Sequence, residues 1–373
     1  MTLVNPLAQP RNAELDSMLI GLVAEESLSR QEENAVNYLV DRMIDLGFDR
    51  AFRDGAGNAI GIWEDPLRGD TPREIVLLGH IDTVPGAIPV KVEHDVLYGR
   101  GAVDAKGPLA SFVAGAALSG PQNGWRIIVI GAVEEEATTS KGARHVLPQY
   151  QPALCVIGEP SSWDRVTLGY KGRILLDCRI QRPMAHTART EPNAAEQAVA
   201  LWNALTASAA AYNADRPRAF DQVLPSLRSI RSGDDGFTEI AELTIGFRLP
   251  PDLPPAALQA RLAPIIADAS AEARIELSWR GSEVAWRAEK QSPLARLFLN
   301  AIRDAGGTPS YVYKTGTSDM NVVAPIWNCP ILAYGPGDSA LDHTPTEHLP
   351  LADYRRAYNV IAAILRALPE LPV

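Results

Sequence analysis

The chain has 373 residues, 46% of them apolar and 21% charged, with 35 Lys and Arg against 45 Asp and Glu for a net charge of −10. That length exceeds what one hydrophobic core usually holds and predicts two domains. The acidity argues against a nucleic-acid or membrane-surface binder, and the longest apolar runs, such as residues 127–133, are too short to span a bilayer. Residues 1–11 lack a basic segment followed by an apolar one, so the expectation is a cytoplasmic protein without a signal peptide. Cys155, Cys178 and Cys329 stand far apart without a CxxC pair and read as reduced, buried small hydrophobes.

In chain order, Ser29-Arg-Gln-Glu32 predicts a capping box opening a helix with the apolar stripe Ala35, Val36, Leu39, Val40, Met43 and Ile44, ended by Gly47. Residues 74–79 (EIVLLG), 126–133 and 153–158 are short continuous apolar runs. This is the habit of strands covered on both faces. After Pro160 the texture changes. Residues 165–180 read as a strand pair turning at Tyr170-Lys-Gly172, 194–212 as an alanine-rich helix, and 238–249 as a strand. A helix over 254–271 and a strand over 274–279 follow. Ser292 and Pro293 read as the N-cap and first position of a helix running to Gly306. Residues 329–334 resume the buried-strand pattern, and 351–368 close the chain as a helix. The predicted fold is α/β, a mainly parallel sheet flanked by helices and interrupted by an inserted α+β sandwich. The expected boundaries give residues 1–165 and 285–373 to the larger domain and 166–284 to the insert. Residues 165–231 hold ten Arg or Lys against five Asp or Glu, which suits a solvated face or a surface for an acidic partner equally.

Acidic and histidine side chains collect at the ends of these apolar runs, the edge of an open α/β sheet where ligands bind. His80 and Asp82 follow EIVLLG directly. At i and i+2 of an extended segment they face the same way, so Asp82 can accept the second imidazole N–H. Asp104 lies in a glycine-rich run. Glu134, Glu135 and Glu136 end an apolar run, where three like charges are costly unless a cation or a shared proton relieves them. Glu159 ends another run, and Gly335-Pro-Gly337 leads to His343. Taken singly, His80 reads as a core histidine beside a turn aspartate, and Asp104 as a helix cap. Together, two histidines and three carboxylates with one bridging suit two zinc ions, and a glutamate beside them would move the proton of a bound water.

HIDTVPG (80–86), YGRGAVDAKG (98–107), EEEATTSKGA (134–143), IGEPS (157–161), YKGR (170–173), TGTSDMN (315–321) and GPGDSALDHTPTEHL (335–349) resemble, in family order, the zinc aminoacylase/metallopeptidase family. That family contains acetylornithine deacetylase, succinyl-diaminopimelate desuccinylase and carboxypeptidase G. The resemblance implies a di-zinc exopeptidase-like catalytic domain, an inserted lid and dimerisation domain, and a homodimer. It implies two zinc ions per chain, with cobalt or manganese as substitutes. His80 and Glu159 would ligate one zinc, His343 the other, with Asp104 as the bridge and Asp82 orienting His80. The family has Asp-Glu-Glu at the triplet, and spacing back from Gly142-Ala143 favours Glu135 as base and Glu136 as ligand. The register one residue earlier, Glu134 as base and Glu135 as ligand, stays open.

His186 matches the lid histidine that hydrogen-bonds the developing oxyanion, without the glycine expected a few residues upstream. Arg248 matches the lid arginine that grips a substrate carboxylate, with Thr317 and Ser318 adding hydrogen bonds and Lys171 and Arg173 facing an acidic acyl partner. His94, His145 and His348 are assigned to structure or surface. The runs GRGAVDAKGPL, GYKGR and KTGTSDMN are most similar to members that release lysine or ornithine from the γ-glutamyl end of an acidic amino-group carrier protein. The implied activity is that amide hydrolysis in lysine or arginine biosynthesis, with the carrier protein as substrate and partner. Deacylation of small N-acyl amino acids, or dipeptidase or carboxypeptidase activity, is the alternative within the family, and a non-catalytic binding protein the alternative outside it.

Overall fold

The computed structural model describes residues 10–67, 71–186, 188–270 and 273–371, and the chain divides into two compact units. The first comprises Met1–Gly169, Ala288–Val312 and Ser318–Val373. At its centre four strands run parallel, in the spatial order Trp125–Ala132, Arg73–His80, Leu154–Gly158 and Ile331–Tyr334. Antiparallel strands flank them, Ala59–Trp63 and then Arg50–Arg53 on one side and Arg165–Tyr170 on the other. Every residue of Leu154–Gly158 and Ile331–Tyr334 is buried, as continuous apolar runs in a covered sheet require. Helix Lys106–Ser119 is buried along most of its length and packs against Leu351–Arg366. Gly115 permits that approach, since a Cβ there would lie 2.5 Å from Ile361 Cγ2.

The second unit, Tyr170–Arg287 with Tyr313–Thr317, holds an antiparallel sheet in the order Leu224–Asp234, Thr238–Leu249, Gly172–Pro183 and Arg274–Glu283. Alternate residues build its core: Ile174, Leu176, Cys178 and Ile180 from one strand, and Ala241, Leu243, Ile245, Phe247 and Leu249 from its neighbour. Helices Ala194–Asn213 and Pro255–Ser270 add Ala198, Leu201, Leu205, Leu258 and Leu262.

The predicted α/β class with a mainly parallel core is what forms, but several local expectations change. Arg165–Tyr170 and Gly172–Pro183 do not pair; they belong to different sheets. Leu224–Asp234 is a strand that the sequence reading leaves out, because its largely exposed residues carry no apolar alternation. The capping box at Ser29 is absent, and helix Glu33–Asp45 has no side-chain cap. A capping box forms instead at Asn193 and Glu196, opening Ala194–Asn213. Ser292 caps Pro293–Asp304 as expected. Cys155 and Cys178 are buried and Cys329 half-buried, all three as free thiols. Among the described residues no helix is long and apolar enough to cross a membrane.

Candidate metal centre

Four parallel strands end on one edge, and that is what gathers the site: His80 ends Arg73–His80, the glutamate triplet follows Trp125–Ala132, Glu159 follows Leu154–Gly158, and the segment to His343 follows Ile331–Tyr334. Asp104 comes from the loop before helix Lys106–Ser119, where a cis peptide bond joins it to Ala105. His80 Nε2 lies 3.2 Å from Asp104 Oδ1. His343 Nε2 lies 3.0 Å from Asp104 Oδ2 and 2.8 Å from Glu136 Oε1. The donor atoms form three groups, each with its atoms within 4.8 Å of one another: His80, Asp104 and Glu159; Asp104, Glu136 and His343; and His80, Glu135 and Glu136. The first two share Asp104, whose two oxygens face different imidazoles, as a carboxylate shared between two cation positions would.

The electrostatics fit a cation pair. Burial pushes the Glu135 and Glu159 carboxyls well above the usual range, and the neighbouring carboxylates push them further. Burial would also raise Asp104, but its hydrogen bonds with His343 and His80 hold it well below the usual range. Hydrogen bonds to Asp104 and Glu136 push His343 up to about 10. Carboxyls whose charge is this costly, and imidazoles drawn to neutralise them, make a cluster that divalent cations would compensate. The imidazole and carboxylate donors, without a thiolate, suit zinc, cobalt or manganese.

Asp82, fully buried, organises the surroundings. His80 Nδ1 lies 3.0 Å from the Asp82 backbone carbonyl and 3.5 Å from its Oδ1. The nearer partner fixing the His80 tautomer is therefore the carbonyl of Asp82, not its carboxylate. That carboxylate instead accepts the backbone N–H groups of Glu135 and Glu136, each at 3.0 Å, and the Ser29 hydroxyl at 2.7 Å. This is why Ser29 does not cap a helix. Glu134, with φ of +59°, turns its carboxylate to the Thr139 hydroxyl at 2.8 Å, Lys141 at 3.5 Å and Arg30 at 3.7 Å, and it belongs to none of the three groups. Glu135 and Glu136 are the two members of the triplet in the cluster.

In the second unit Arg248 donates through Nη1 to the Thr317 hydroxyl, which donates in turn to the Lys171 carbonyl at 3.2 Å. Arg248 and Arg173 stand opposite each other on neighbouring strands, and buried Glu283 stands opposite Arg173 on its other side. The buried Arg173 Nε lacks a hydrogen-bond partner. Lys171 is fully buried, its ammonium donating to the carbonyls of Ala219, Phe220 and Gln222, and burial lowers it to about 8. His186 is exposed; the Ala188 N–H donates to its Nδ1 at 3.1 Å, so a neutral ring carries its proton on Nε2. Ser318, in the first unit, is buried, with its hydroxyl accepting from Met320 N–H.

Three side chains that the sequence did not place in the site stand beside the cluster. Ser29 binds Asp82, buried Asp319 raises the Glu135 carboxyl, and Glu347 receives the backbone N–H groups of Val103 and Asp104. Glu347 carried a signal in its place four residues after His343; the local pattern at Ser29 pointed elsewhere.

Comparison with known proteins agrees with this geometry. The sequence model of peptidase family M20/M25/M40 matches residues 76–367. A LysW-lysine hydrolase of Deinococcus radiodurans is 46% identical over 352 residues, 93% of this chain and 94% of that protein. A LysW-lysine/LysW-ornithine hydrolase of Saccharolobus islandicus is 30% identical over 306 residues, 80% of this chain and 81% of that protein. Among solved structures, an M20 family metallo-carboxypeptidase from Sulfolobus solfataricus shares the fold with a TM-score of 0.77 at 16% identity, over 96% of this chain and 100% of that one. The chain is a metallohydrolase that belongs to peptidase family M20/M25/M40.

Proposed function

We propose that the chain hydrolyses the amide joining lysine or ornithine, through the α-amino group, to the C-terminal γ-glutamyl group of an acidic amino-group carrier protein, in lysine or arginine biosynthesis in the cytoplasm. The observation that carries this reading is the identity with the Deinococcus LysW-lysine hydrolase, which spans nearly the whole of both chains. In this reading residues 1–165 and 285–373 form the catalytic domain, and 166–284 form a lid through which two copies pair.

His80, Asp104 and Glu159 hold one zinc ion, and Asp104, Glu136 and His343 the second, with cobalt or manganese as substitutes. When bound, the pair supplies a water of lowered pKa and polarises the amide carbonyl. Glu135 stands outside those two triads but beside His80 and Glu136, its backbone held by Asp82. It takes the proton from the attacking water and delivers it to the departing α-amine. Asp82 keeps the base loop and the His80 ring in place. His186, protonated on Nε2, donates to the developing oxyanion. Arg248 and Arg173 hold a carboxylate in a forked contact, and the Thr317 hydroxyl orients the Arg248 guanidinium while donating to the Lys171 carbonyl. Buried Lys171 braces residues 219–222, and Ser318 holds its own loop at Met320.

A substrate panel tests this. Protein loaded with zinc or cobalt should release lysine from the carrier conjugate far faster than it deacylates acetylornithine or succinyl-diaminopimelate or splits unblocked dipeptides. Equal or reversed rates overturn the carrier reading.

A further inference from the structure

Glu347 is a buried carboxylate four residues beyond His343, yet it belongs to none of the three donor groups. Its oxygens are committed elsewhere. Oε1 accepts the N–H groups of Val103 at 2.8 Å and of Asp104 at 3.0 Å, while Oε2 accepts Arg100 Nη1 at 2.7 Å. The pair is shielded from water, with side-chain exposures of 11% for Arg100 and 0% for Glu347. Arg100 continues the chain of contacts, its Nε donating to the Gly86 carbonyl at 3.0 Å. The Glu347 carbonyl accepts from Gly99 N–H at 3.4 Å. The other buried cation of this loop, Lys106, donates to the Glu25 carbonyl at 2.5 Å.

Two side chains thus tie together three loops: the one leaving His80 and Asp82, the one bearing Asp104, and the one bearing His343. Asp104 must present one oxygen to each imidazole, so its backbone position governs both cation positions, and Glu347 grips that backbone directly. We propose that Arg100 and Glu347 form a positioning clasp which, without touching metal or substrate, sets the spacing of Asp104 and His343 and so the affinity of the cation position they share. The inference rests on the two-cation reading above.

The test is calorimetric titration of metal-free protein with zinc, repeated with cobalt and its visible absorbance, on wild type, Glu347→Gln and Arg100→Lys. Lysine keeps the charge of Arg100 but lacks the fork that reaches both Gly86 and Glu347. The wild type should bind two ions. In each variant the ion held between Asp104 and His343 should bind about 10–100-fold more weakly, the usual effect of removing a group that orients a ligand. The ion held between His80 and Asp104 should weaken by clearly less, because only its Asp104 side is disturbed. Turnover should fall at limiting metal and recover at saturating metal, with KM unchanged. Two unshifted affinities in a variant that melts cooperatively overturn the clasp. Equal weakening of both ions in step with a lower melting temperature also overturns it, because that is what a merely structural pair would produce. If Glu347→Gln fails to fold, Arg100→Lys decides. A wild type that binds fewer than two ions overturns the two-cation reading itself.

Discussion

His343 Nε2 stands 2.8 Å from Glu136 Oε1 although 207 positions separate the two residues in sequence. The same nitrogen reaches Asp104, so one imidazole, 52% exposed, completes a triad whose carboxylates are recessed at 11% and 12%.

Metal removal should therefore abolish turnover, and zinc or cobalt should restore it. His343→Ala should leave about one ion per chain, whereas Asp104→Asn should weaken both, since only Asp104 belongs to both triads. Metal content after gel filtration distinguishes the two outcomes. Metal at a thousand times its dissociation constant adds about 4 kcal/mol of stability, so the loaded protein should melt higher than the metal-free one.

Glu135→Gln and Glu134→Gln should separate cleanly. The first removes the proposed base and should lower kcat by about 10²–10⁴-fold with both ions retained. The second keeps an acceptor for the Thr139 hydroxyl and only weakens the contacts to Lys141 and Arg30, so turnover and the bound ions should stay near wild type. Near-normal kcat in Glu135→Gln would assign the base elsewhere.

Arg248→Lys should raise KM for a substrate with a free carboxylate, since charged hydrogen bonds are worth about 1.5–3 kcal/mol each. A conjugate of the corresponding diamine, lacking that carboxylate, should be cleaved equally by both forms. Arg173→Met should weaken binding and also lower the melting temperature, because it removes the cation that stands opposite buried Glu283 on the other neighbouring strand. If neither substitution changes the preference for the carboxylate, the anion site is not there.

Lys171 makes stability depend on pH in a defined direction. Burial lowers it to about 8 in the folded chain, against 10.5 for an ordinary lysine. Between those values the unfolded chain binds more protons than the folded one, so this group's contribution to stability rises with pH across that window and is flat well below it. Lys171→Met should lose that rise, as melting curves from pH 7 to 10 would show. An identical pH dependence in the variant would refute the assignment.

Much of the site was legible before folding. Residues 73–80 and 154–158 announce covered strands through continuous apolar runs, and His80 and Glu159 at their ends announce a ligand edge. The insert was legible from alternation in 174–180 and 241–249, but not in Leu224–Asp234, where exposure erases the pattern. Ser29-Arg-Gln-Glu32 carries the letters of a capping box, yet Ser29 turns to an aspartate 53 positions away, because a buried carboxylate needs donors more than an exposed helix end does.

By itself, the order of residues determined which chemical groups would stand at the ends of the parallel strands, since strand periodicity and glycine-rich turns are local properties. Only the tertiary structure decided which of Glu134, Glu135 and Glu136 face the cluster. That choice depends on the left-handed backbone at Glu134 and on Arg30, Asp82 and Glu32, all distant in sequence, and no local spacing reports such contacts.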